Sequence, residues 1–285
     1  MLESIISYGL AMGSMYALTA ITYNVMFSTS RVFSFTSGVL GMLGGVFGAV
    51  FITRLGFFAP LGFLAMLACC AAIGMATELA AVRPVLKSLE QHLYVLSTLA
   101  VTLMMQQFTA IEFSTEPQPF PQFLPFDILG VRERFWMPVV ACFLVLGGLE
   151  FLYHHTVVGR AFLAVAEDNF AARAIGLPEQ HLRIGSYAMA GMIGGLCGFA
   201  GGGVLLAFFA NVPTLNFYGF VPVALGGIGN NRGAVVTGIG LGLFQQAANY
   251  LVGGVFASVA VFSVFIVALL LAPQGLFGAT ATRRV

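Results

Sequence analysis

Residues 57–82 read Phe57-Phe58-Ala-Pro60-Leu-Gly-Phe-Leu-Ala-Met66-Leu-Ala-Cys69-Cys70-Ala-Ala-Ile-Gly74-Met-Ala-Thr77-Glu78-Leu-Ala-Ala-Val82, with Glu78 as their one charge. A helix rises about 1.5 Å per residue, so this run covers the ~30 Å hydrocarbon core of a bilayer. Working outward, similar apolar runs occupy 5–27, 34–52, 92–112, 137–154, 183–209, 234–251 and 253–272. A Gly-rich piece at 217–229 contains Pro222 and is too short to cross as a straight helix. It reads as a short broken crossing or a half-helix lining a cavity. Only 8% of the 285 residues are charged, where a soluble domain carries roughly 25%. That excludes a soluble enzyme, which could not cover itself with so few charges, and a disordered chain. The expected fold is all-α and polytopic, with about 8–9 transmembrane helices in one domain over residues 1–285.

Basic residues set the direction. Arg31, Arg83, Lys87, Arg160, Arg173, Arg183, Arg232, Arg283 and Arg284 fall in one set of loops, and Arg54, Arg132 and Arg134 in the other. The positive-inside bias places the N-terminus outside and the C-terminus, 83–91 and 155–182 in the cytoplasm. This parity requires 217–229 to return the chain to the cytoplasmic side. The segment 113–136, with Glu116-Pro117-Gln118-Pro119-Phe120-Pro121, is a stiff external loop. The first apolar run has no basic region before it and reads as a retained span. Small-xxx-small pairs (Gly41 with Gly45, Gly44 with Gly48, Gly191 with Gly195, Gly194 with Gly198, Gly238 with Gly242) predict close helix packing. Gly201-Gly202-Gly203 leans instead toward a flexible or pathway-lining segment. Cys69, Cys70, Cys142 and Cys197 lie in apolar runs without metal or disulfide spacing and read as buried small hydrophobes.

Several chemistries are missing. The only lysine, Lys87, follows Leu86, so there is no phosphate-binding P-loop, and no G-x-S-x-G or H-E-x-x-H occurs. His92, His154, His155 and His181 sit near span boundaries and suit interfacial roles. Glu78, Glu112 and Glu150 each fall near a helix end, with Glu78 within reach of Arg83, so no mid-membrane carboxylate marks a proton-coupled pump. The chain is a pathway without an engine: transport is passive, or a partner supplies the energy.

Residues 156–177 bear on that choice. Phe162, Val165, Ala166, Phe170 and Arg173 recur at near-helical spacing, and Gly176-Leu177-Pro178 is a stop signal. The expectation is one short helix, 162–175, outside the bilayer, suited to a groove on another protein. The alternative is a surface helix resting on lipid, which its few basic residues and many alanines disfavour. Thr156-x-x-Gly159-Arg160-Ala161, followed by Ala164, Asp168, Ala171-Ala172 and Gly176, resembles the cytoplasmic coupling signature of bacterial ABC permeases, the branched-chain amino acid permease family and its LivH-like branch in particular. Three further stretches resemble that family in the same order: Gly9-Leu10-Ala-Met-Gly13-Ser14-Met-Tyr16-Ala17-Leu18, Val223–Val235 with Gly226-Gly227-Ile228-Gly229 and Arg232-Gly233, and Pro273-Gln274-Gly275-Leu276-Phe277-Gly278.

The resemblance implies an ABC importer permease fold. It implies a second, LivM-like permease, two ABC ATPase subunits and a periplasmic substrate-binding protein as partners. It implies no cofactor on this chain, with ATP and Mg held by the ATPases. Its cargo would be a branched-chain or other hydrophobic amino acid, or a similar small carboxylate or amide, in the bacterial inner membrane. Gly159, Arg160, Glu167, Asp168, Ala171, Ala172 and Gly176 are then the candidate ATPase-coupling residues. The family's His and acid after the first span are replaced here by Phe33-Ser34-Phe35-Thr36-Ser37-Gly38-Val39, and Ala272 stands where Arg is common, so the altered polar segment leaves the cargo open. Candidate pathway residues are Ser34, Thr36, Ser37 and Gly38 at the start of the second span, with Asn216 and Tyr218 before the short crossing. Helix N-termini there would present N–H groups to a carboxylate; ordinary capping is the equal alternative. The competing function is an ATP-independent channel or facilitator.

Overall fold

The computed structural model describes residues 2–86, 93–113, 115–120, 133–272 and 275–277. In chain order the helices are α1 (Leu2–Ser30), α2 (Ser37–Ala49), α3 (Ala59–Thr77), α4 (Arg83–Leu86), α5 (Leu93–Glu112), α6 (Glu133–His155), α7 (Val157–Glu167), α8 (Asn169–Ala174), α9 (Glu179–Leu205), α10 (Val212–Gly226), α11 (Asn231–Val252) and α12 (Gly254–Leu271). The only β pairing among these residues is an isolated bridge between Gln118 and Ala207. The protein is an all-α polytopic membrane protein. Six of the described helical spans are long and apolar enough to cross a membrane: Ile5–Ser30, Ser37–Arg54, Ala59–Leu86, Leu93–Glu112, Arg134–His155 and Glu179–Leu205. α11 is long but less apolar, and α12 contributes a shorter apolar stretch. Most of the loop 113–136, together with Lys87, His92, Pro273, Gln274 and the terminal arginines, lies outside the described residues.

α1 is the axis of the bundle, wrapped by α6, α9, α10 and α11. Tyr16, Tyr23, Leu18 and Ile21 on it are fully buried. The second seam joins α2 and α3 to α9, and the Gly pairs explain it. Gly44 stands against the backbone of Gly195, Gly198 against Gly41 and Gly191 against Cys70, so a Cβ at Gly44, Gly198 or Gly191 would overlap the partner's backbone; Gly242 packs in the same way on Gly13 where α11 meets α1. In lipid, helices associate through such contact rather than through apolar burial. Gly201, Gly202 and Gly203 are also packing positions, filled by Met15, Phe120 and Arg134, and they lie inside α9. The flexible-segment reading of these three residues is therefore replaced by a packed one. The cysteines are free thiols, with Cys70, Cys142 and Cys197 buried, as their apolar setting predicts.

Two helices end in widened π turns, Val50–Arg54 after α2 and Glu78–Val82 after α3. The short crossing begins earlier than the apolar pattern indicates. α10 starts at Val212 with Pro213 in its first turn and ends at Gly226, before the Gly227–Asn230 turn. Pro is preorganised for a helix start, and the polar Thr214 and Asn216 hide that start from a hydropathy reading. At ~1.5 Å per residue its 15 residues span less than a full bilayer. Pro222 sits inside it, and the carbonyl of Pro222 is taken up by Thr237 Oγ1 at 3.0 Å.

Candidate coupling surface and pathway

The segment 156–177 is two helices rather than one. Thr156 caps α7, its Oγ1 accepting from Gly159 N–H at 2.9 Å. Gly159 lies against the end of α6, where a Cβ would overlap the Leu152 carbonyl, so this glycine sets how closely α7 folds back on α6. Phe162 and Val165 are buried as the periodicity predicts. The helix then stops at Asp168, which is extended (φ −147°, ψ 105°) and caps α8, its Oδ1 accepting from Phe170 N–H (2.9 Å) and Ala171 N–H (3.1 Å). α8 ends in a Schellman turn: Leu177 N–H bonds Ala172 O and Gly176 N–H bonds Arg173 O, both at 3.0 Å, with Gly176 at φ +85°.

The break at Asp168 corrects the single-helix expectation and changes which residues face out. Phe170, placed by periodicity on the face of Phe162, is 84% exposed, and Ile175 is 75% exposed. Arg160, Glu167, Asp168 and Ala171 are exposed beside them, while Gly159 and Ala172 are buried and Gly176 forms the turn. Arg31, which the sequence offers only as an orienting charge, has a structural task. It takes φ +56° beyond α1, and its guanidinium bonds the carbonyls of Ala166 and Glu167 at the end of α7. A cation there satisfies terminal carbonyls and opposes the helix dipole. The segment is tied to the bundle again through Glu179, whose carboxylate bonds Asn169 and Arg173 of α8 and holds the Arg173 guanidinium above its ordinary pKa. Glu78 does not meet Arg83. It pairs with Arg183 at 2.6 Å inside the protein, and Arg83 Nη2 donates to Gln180 (2.6 Å). Arg183 is thus a buried helix residue rather than a loop charge.

The pathway candidates divide. Gly38 and Asn216 meet directly: the Asn216 side-chain carbonyl accepts from Gly38 N–H (2.7 Å) and from Tyr23 OH (3.0 Å). Asn216 and Tyr218 are inside α10, so no free helix N-terminus is formed by them; the carboxamide instead occupies the N-terminus of α2. Ser34 and Thr36 bond each other at 2.8 Å, and Ser37 Oγ is buried without a partner. Tyr218 OH donates to Ser258 (3.3 Å), and its ring stacks on Tyr16, whose hydroxyl donates to Gln245 Oε1 at 2.7 Å. Around the Asn216 hub, Tyr23, Phe33, Phe35 and Phe220 form an aromatic cluster with centroids 5.9–6.3 Å apart. Thr98 and Thr102 of α5 hold the Phe35 backbone. Sequence reasoning missed this cluster because its rings come from three separate stretches. The arrangement offers uncharged hydrogen-bonding groups beside an aromatic wall. At the end of the bundle that carries α7, a cavity of about 720 Å³ is lined by Asn24, Arg31, Glu150, Tyr153, Glu167 and Arg232.

The family model described as branched-chain amino acid transport system / permease component matches residues 5–273. The chain belongs to this permease family. It is 25% identical to the high-affinity branched-chain amino acid transport system permease protein LivH of Salmonella typhimurium, covering 97% of this chain and 96% of that one. It is 26% identical to BraD of Pseudomonas aeruginosa with the same coverage, and 23% identical to a probable LivH of Methanocaldococcus jannaschii over 93% of this chain and 89% of that one. No solved structure matches it. The chain is thus a multi-pass membrane protein of this permease family, and three of the four stretches quoted from the sequence lie within the matched residues.

Proposed function

We propose that this permease is one half of the translocation pathway of an ATP-driven importer in the bacterial inner membrane, with its N-terminus outside and α7–α8 in the cytoplasm. A LivM-like second permease completes the pathway. Two ABC ATPases carrying ATP and Mg dock on the α7–α8 bracket, and a periplasmic binding protein delivers the cargo. The observation that carries this reading is the bracket itself. It is capped at both helices, pinned by Arg31 and Glu179, and offers Phe170 and Ile175 to solvent. Exposed apolar side chains on a rigid polar mount suit insertion into a groove on a protein. Gly159, Arg160, Glu167, Asp168, Ala171, Ala172 and Gly176 build or border that mount. For the cargo, the Asn216 hub beside the Tyr23–Phe35–Phe220 rings favours a small molecule with an apolar side chain and a hydrogen-bonding head, such as leucine, isoleucine or valine.

The test is purification of the tagged chain from its own membrane, followed by uptake in proteoliposomes. The expected result is a P-loop ATPase in fixed ratio, uptake that requires ATP, and loss of the ATPase from a Phe170→Ser, Ile175→Ser double variant that still folds. Uptake by the chain alone without ATP overturns the importer and establishes a facilitator.

A further inference from the structure

A coupling role for α7 and α8, on which this inference rests, requires that their movement reach the membrane helices. A chain of charge joins α8 to them. Asn169 Nδ2 donates to Glu179 Oε1 (2.9 Å), and Arg173 Nε donates to Glu179 Oε2. One turn along α9, Arg183 donates through Nη1 to Glu179 Oε1 (3.3 Å) and through Nε to Glu78 Oε1 (2.6 Å). Glu78 is 0% exposed and begins the π turn that ends α3.

As a staple this arrangement is poor. Desolvating a buried ion pair roughly cancels its attraction, so apolar packing would hold α3 to α9 as well. The cost is raised here because Glu78 Oε2 is buried without a hydrogen-bond partner. What the arrangement supplies is direction. A guanidinium is a rigid fork, and here it holds carboxylates on two different elements in fixed geometry. The free oxygen of Glu78 gives that fork a second seat. A π turn has already left the regular helical hydrogen-bond ladder, and such turns are frequent at functional sites. Displacement at Glu78 also has a route onward, because α3 and α9 are in backbone contact at Gly74–Tyr187 and at Cys70–Gly191.

We propose that Arg183 is a positioning residue that ties the coupling segment to α3, with Glu179 and Glu78 as its two anchors. Movement of α8 at the ATPase is delivered through Arg183 to the ends of α3 and α9. The measurement is uptake of leucine, isoleucine and valine per ATP hydrolysed, in proteoliposomes holding the whole complex with its binding protein. Glu78→Gln and Arg183→Gln should each lower that ratio about ten-fold while ATP hydrolysis stays within about two-fold of wild type. Arg183→Lys, which keeps the charge but not the fork, should fall between. If Arg183→Gln does not fold, Glu78→Gln, neutral and of equal size, carries the test. A wild-type ratio in Glu78→Gln, or a lowered thermal midpoint with the ratio unchanged, makes the network purely structural and overturns the proposal. Wild-type complex without ATP-driven uptake removes the importer reading as well, so the two failures are told apart by the wild-type control.

Discussion

Gly159 is required by space. The α7 backbone lies so near Leu152 that any side chain must push the coupling segment off α6. Gly159→Ala should cost about 1–3 kcal/mol in thermal unfolding of the purified chain, the usual range for overpacking. Gly240, inside α11 with open space at its Cβ position, is the control: Gly240→Ala should be neutral or stabilising by up to about 1 kcal/mol. Asp168 makes a different prediction, because its visible work is capping. Asn caps as well as Asp, so Asp168→Asn should keep ATP-driven uptake, while Asp168→Ala should lose about 1 kcal/mol of α8 stability and uptake with it. Equal uptake in the Asn and Ala variants would show that the cap is dispensable. At this scale the sequence was partly legible. The Gly pairs pointed to close packing because spacing alone brings small residues onto one face. Glu78 and Arg183 stand 105 positions apart, and no local pattern pairs them.

At the scale of elements, uniform apolar runs were readable and interrupted ones were not. α3 declares itself by length. α10 hides its first turn behind Pro213, Thr214 and Asn216, although Pro in a first turn is itself a start signal. The bracket shows the converse: helical spacing runs on through Asp168 from Phe162 to Arg173, which masks the break, while Asp168-Asn169 in mid-pattern is the sign of a new cap. Arg31 supplies the tie that periodicity cannot show. Arg31→Ala removes the cation from the end of α7, and amide exchange over residues 157–167 should quicken relative to α9. Unchanged exchange would place the anchoring entirely on Gly159 and Glu179.

For the whole molecule, class followed from composition, and architecture from counting spans. Orientation rests on the distribution of arginines and is directly testable. A membrane-impermeant maleimide should label Phe58→Cys in intact cells and Ile175→Cys only after the membrane is opened, since both positions are exposed at loops assigned to opposite sides. The reverse pattern would invert the protein and remove α7–α8 from the cytoplasm. Cys70, Cys142 and Cys197 should stay unlabelled in both conditions, because they are buried.

The glycine seam between α2 and α9 has a genetic consequence. Every single-base change in a glycine codon that alters the protein gives a stop or a residue with a Cβ. At Gly44 and Gly198 there is no room for that atom, because it would fall on the carbonyl oxygens of Gly195 and Gly41. These two codons therefore have no one-step amino-acid neighbour that fits, and at these two positions the gene should drift only through synonymous changes. Its replacements should collect instead on the exposed sides of α5, α6 and α12.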